Sequence, residues 1–110
     1  MANVFETYTS RAVGNSLTAV GSHTTLASHT ETCIGLTVSN VTASAVSVNV
    51  TYNDGTNDTY IVKNAPLPSG GALVPIGGDQ KIVLTTGDSI KVSANTASSI
   101  DAVMSVLDQS

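Results

Sequence analysis

Two runs decide the fold. The first is Cys33-Ile34-Gly35-Leu36-Thr37-Val38-Ser39-Asn40; the second, after a short spacer, is Val46-Ser47-Val48-Asn49-Val50-Thr51-Tyr52. In both, apolar residues alternate with small or polar ones, the period of a strand with one face on a core. Ile34, Leu36 and Val38 are expected on one face, with Cys33, Gly35, Thr37 and Ser39 opposite. Val46, Val48, Val50 and Tyr52 form the matching face of the second run. Asn53-Asp54-Gly55 then offers residues that accept positive φ at low cost, so a hairpin is expected, with residues 59–63 as the returning strand. The stretch 32–53 carries no charge and is long enough to cross a bilayer as a helix. Ser, Thr and Asn at every second position argue for strands instead.

Outward from these runs the same period continues. Strands are expected at residues 80–85, 89–95 and 100–107, with Ile90, Val92 and Ala94, then Ile100, Ala102, Met104 and Val106, facing inward. Ala65-Pro66-Leu67-Pro68-Ser69-Gly70-Gly71 reads as a loop, and Ile76-Gly77-Gly78-Asp79 and Thr86-Gly87-Asp88 as turns. No window has the i, i+3, i+4, i+7 spacing of an amphipathic helix. Short strands with turns between them predict an all-β, antiparallel β-sandwich, jelly-roll or immunoglobulin-like, over residues 16–110. Residues 1–15 are less cleanly patterned and are expected to form an N-terminal arm or an edge strand. The expected core is Ile34, Leu36, Val38, Val48, Val50, Ile90, Val92, Met104 and Val106.

Composition agrees with this. The 110 residues suffice for one domain. Val outnumbers Leu by 14 to 7, and 29 residues are Ser or Thr, a mixture that favours pleated sheet because β-branched chains lose rotamer freedom in a helix. A core of Val and Ala is shallow, so an oligomeric interface is an expected source of further stability. Net charge is −4, and Arg11 is the one arginine. Gripping a phosphate backbone requires several cations on one face, so nucleic acid is not an expected partner. Residues 1–10 contain Glu6 and no apolar run, unlike a signal peptide.

Chemistry-bearing motifs are sparse. His23, His29 and Cys33 are the potential soft metal ligands, at a spacing that fits no zinc pattern, and Cys33 is expected to be a small buried strand residue. Asn53-Asp54-Gly55-Thr56-Asn57-Asp58 has the oxygen donors of a calcium loop but lacks its length and its closing glutamate. The glycosylation sequons at Asn40, Asn49 and Asn57 are expected from composition alone. Neither Gly70-Gly71 nor Gly77-Gly78 opens a helix or precedes Lys-Ser/Thr, as a phosphate loop would. No G-x-S-x-G elbow occurs, and the acids are scattered one per turn. The expectation is a protein that is not an enzyme, with no cofactor and no metal.

Leu84-Thr85-Thr86-Gly87-Asp88-Ser89-Ile90-Lys91-Val92-Ser93-Ala94, a final strand over 100–107, and the upstream pair of runs at 33–40 and 46–52 make a recognisable order. Over roughly residues 26–107 this pattern resembles the small β-sandwich virion structural proteins of tailed bacteriophages, including head decoration or cement proteins. The resemblance implies a non-enzymatic role in the virion, with copies of itself (a trimer or dimer) and a major capsid or other virion protein as partners, and no membrane. Alternatives are a neck or tail protein of the same particle, or a carbohydrate-binding or adhesion module, which would present aromatic platforms. Phe5, Tyr8 and Arg11 concentrate interface-type side chains in the weakly patterned first segment, and are the expected contacts to a neighbouring subunit.

Overall fold

The structure, a computed structural model, describes residues 3–78 and 80–109. Met1, Ala2, Ser110 and the Asp79 of the expected turn lie outside the described residues. Nine strands are present: β1 (Asn3–Val13), β2 (Thr18–Ala19), β3 (Thr30–Asn40), β4 (Val46–Asn53), β5 (Asp58–Leu67), β6 (Ala72–Ile76), β7 (Ile82–Leu84), β8 (Ser89–Ala94) and β9 (Ile100–Gln109). Among the described residues the sole helical element is a 3-10 turn at Val20–Ser22.

The strands form two antiparallel sheets. Sheet A runs β1-β9-β3, with β6 and β7 successively along the far side of β3, and sheet B runs β2-β8-β4-β5. The pairs are nested: β1 with β9, β2 with β8, β3 with β6 and β7, β4 with β5. A long hairpin rolled on itself has this order, and the sandwich is therefore a jelly roll. The core between the sheets is almost wholly aliphatic, with Leu36, Val38, Val48, Val50, Ile90, Val92, Ile100, Met104 and Val106 all essentially inaccessible.

Ile34 departs from expectation. It is half-buried and is not a member of the core, because the β3–β9 register slips between Cys33 and Gly35. Ile34 is the extra residue of a β-bulge, and one extra residue reverses which parity faces inward. Cys33, expected opposite Leu36, consequently shares its buried face. A second correction concerns the loop expected at 65–71: Ala65, Pro66 and Leu67 continue β5, and the chain re-enters sheet A as β6 immediately afterwards. Both strands are sheet edges, where a missing proline N–H costs no ladder bond.

Buried polar groups are paired. Asn40 donates to the Ser44 and Leu67 carbonyls and accepts from Thr42, so the first sequon asparagine is committed to the fold. The Asp88 carboxylate accepts from Tyr52 and from Thr85, joining the β4 end to the Thr85–Asp88 turn. In the 53–58 loop Asp54 accepts from the Thr56 and Asn57 N–H groups, and Gly55 takes φ 96°. Those N–H donors hold the Asp54 carboxyl below the ordinary aspartate range. This is turn chemistry, and it accounts for the oxygen-rich motif.

Candidate assembly surface

Three neighbouring rows on the outer face of sheet A mix exposed apolar residues with Ser, Thr and Gly. Across sheet A the register aligns Phe5 with Leu107, Leu107 with Thr32, and Thr32 with Val83. A second row aligns Thr7, Ser105 and Gly35, and a third aligns Thr9, Val103 and Thr37. These rows contain no charged residue. Phe5 is 74% exposed, with Val83 and Val103 also largely open to solvent. Arg11 and Asp101 mark one end of this face, where the Ala12 N–H donates to Asp101 Oδ1 at 2.8 Å.

The three residues expected at an interface do not share one surface. Alternation along β1 places Phe5 and Arg11 on the exposed outer side and turns Tyr8 toward the sandwich interior. There the Tyr8 ring stacks on His23, with centroids 3.8 Å apart and planes 12° from parallel. Its hydroxyl donates to Glu6 at 3.0 Å. Burial, reinforced by that bond to a carboxylate, pushes the phenol up to about 12.

Behind Tyr8 lies a polar seam the sequence conceals, because its members are far apart in the chain. His23 Nε2 lies 2.8 Å from both oxygens of the buried Glu31, which also accepts from Thr25 Oγ1. His29 Nδ1 lies 2.8 Å from Asp108 Oδ1. Glu6, Glu31 and Asp108 bring carboxylate oxygens within 4.8 Å of one another, and this is the grouping that could hold a cation. Cys33, the third soft ligand candidate, bonds the Gly35 carbonyl. Burial pushes its thiol up to about 11. Glu31 and Asp108 have adjacent imidazoles as partners, so the seam is internally satisfied and ties β1, the 23–29 loop, β3 and β9 together.

The rival sugar-binding reading needs an open aromatic platform. Tyr52 is half-buried and engaged with Asp88, while Tyr60 is exposed with the Lys63 ammonium 5.1 Å from its ring centroid. The two tyrosines face different surroundings and do not make one platform. No protein-family model, curated protein or solved structure matches the chain.

Proposed function

We propose that this chain is a non-enzymatic structural subunit of a bacteriophage particle, a decoration or cement protein that stabilises the head through subunit contacts. The observation that carries the reading is the outer face of sheet A. A monomer that already buries a complete aliphatic core gains nothing by placing its only phenylalanine in water. A subunit gains an anchor, since aromatic side chains are enriched at interface centres. The absence of charge across the three rows also keeps like charges from being set against each other in a contact between two copies.

The jelly roll is an architecture of viral capsid domains and also of lectins. What favours the virion is the pattern over residues 84–94 and 100–107 together with this uncharged face. The test is the protein composition of purified particles, followed by imaging to place the subunit. Many copies per particle on the head surface is the expected result. Absence of the chain from the particle overturns the reading.

A further inference from the structure

We propose that the polar seam is a pH-sensitive latch: it holds the first half of β1 and residues 20–29 in place while its imidazoles are protonated, and loosens as they lose their protons. The latch is independent of the subunit role. It follows first from what fastens that corner of the fold. Before Val13, the part-buried residues of β1 are Glu6, Tyr8 and Ser10, each with a polar group, while Val4 and Phe5 are exposed. The Tyr8 ring is the one apolar anchor of that stretch, and it rests on His23.

Five titratable groups meet there. β1 supplies Glu6, β3 supplies Glu31 and β9 supplies Asp108, with carboxylate oxygens within 4.8 Å of one another. The segment leading into β3 supplies His23, 2.8 Å from both Glu31 oxygens, and His29, 2.8 Å from Asp108. The other titratable side chains beside them are Tyr8 and Cys33, raised to about 12 and about 11 and therefore uncharged near neutrality. Among the described residues these two His–carboxylate contacts are the only ion pairs, so no lysine or arginine neutralises the cluster.

Charge sets the direction of the effect. With both imidazoles protonated, two cations lie among three carboxylates; with both neutral, three carboxylates face one another alone. The first arrangement is attractive and the second repulsive. A neutral imidazole still donates one N–H, so the hydrogen bonds outlast the charge and the corner loosens without unfolding. The stack of Tyr8 on His23 adds to the preference, because an aromatic face attracts a cation. Closing the corner thus takes up protons. Its stability is present on the acid side and is lost as the pH rises through the range where histidine ordinarily titrates, about 6.5.

Hydrogen exchange of the intact chain at about pH 6 and about pH 8, in EDTA and corrected for intrinsic rates, reads the latch. Protection of residues 3–10 and 20–29 should fall at least about tenfold relative to β4 and β8, the factor that one coupled proton supplies over one pH unit. The double variant His23→Gln/His29→Gln keeps N–H donors without the charge and should lose this dependence. Should that variant fail to fold, the imidazole proton resonances of the unaltered chain give a second reading, and their titration should coincide with the loss of protection. Equal protection at both pH values overturns the latch, as does a fall shared equally by β4 and β8. So does a dependence that persists in the double variant, or an imidazole titration completed with protection unchanged.

Discussion

β1 and β5 are the long outer strands of their respective sheets, and they are finished in opposite ways. β5 bends twice against β4, sets Asn64 in the left-handed region with its N–H held by Asn49 Oδ1, and ends through Pro66. β1 stays regular for eight residues and departs from its ladder only at Arg11 and Ala12, where Ala12 takes φ 55°. The sides turned to the core differ as well. β5 contributes Leu67 and partly buried Ile61 and Val62 to the hydrophobic interior; β1 contributes Val13 at its end and is fastened nearer its middle through Tyr8, His23 and Glu31. The difference teaches that the irregular edge packs on apolar side chains, while the regular edge is backed by a polar cluster.

The sharpest test of that contrast is the anchor. Glu31→Ala removes the buried carboxylate that His23 and Thr25 share. Losing one member of a buried pair and leaving its partners unsatisfied is expected to cost about 3 kcal/mol. Chemical denaturation measures the loss, and hydrogen exchange should show β1 amides opening before those of β5. If both edges exchange equally fast in the variant, the seam does not act on β1 in particular. Next in size are Val50→Ala and Val92→Ala, which are cross-strand partners in the β4–β8 pair of sheet B. Each should lower stability by about 1–3 kcal/mol through lost burial and a residual cavity. An unchanged unfolding midpoint for either would contradict the register of sheet B.

Alkaline titration compares the two sheets directly. Tyr8 is raised to about 12, first by burial and then by its bond to Glu6; Tyr52 is raised to about 12, first by its bond to Asp88 and then by burial. Both phenols ionise later in the folded state than at the ordinary value of 10. Their contribution is complete below about pH 10 and is lost as pH climbs through about 12. Tyr8→Phe and Tyr52→Phe should each flatten that loss in stability measured between those limits, and a profile unaltered by both variants would exclude the tyrosines as its source. The smallest expected effect is a gain. Ala12→Gly relieves a left-handed alanine and should stabilise by about 1 kcal/mol in a thermal melt. Asn64→Gly in β5 should change little, because asparagine tolerates that region and keeps the Asn49 contact through its backbone.

Much of the architecture was legible locally. Alternation at 36–38, 46–50, 90–94 and 100–106 reports which side chains leave water, and a strand with one buried face leaves no freedom in that pattern. Ile34 was misread because a bulge is invisible to a period-2 template: the alternation on either side remains intact, and only the phase changes. β6 was missed because Pro75 and the flanking glycines forbid a central strand, whereas an edge accepts them. At the surface, Phe5 and Arg11 stood out as interface-type residues, but the pairing of Phe5 with Leu107, Thr32 and Val83 required the register of four strands. His23 and His29 stood out as possible ligands, but no spacing rule connects them to their carboxylate partners Glu31 and Asp108, 8 and 79 positions away.

By itself, then, the sequence determined the strand content, most of the inward faces and the turns, all of which follow from interactions among near neighbours. The tertiary structure alone decided which sandwich this is. Jelly-roll and immunoglobulin-like chains use the same strands and turns, and they differ in which distant strands pair. Here β1 meets β9 and β2 meets β8. That choice is made by closing long loops so that two whole faces are buried at once, a free energy carried by no single segment. The same closure leaves β1 regular and β5 irregular against their neighbours, and leaves Phe5 exposed at the surface.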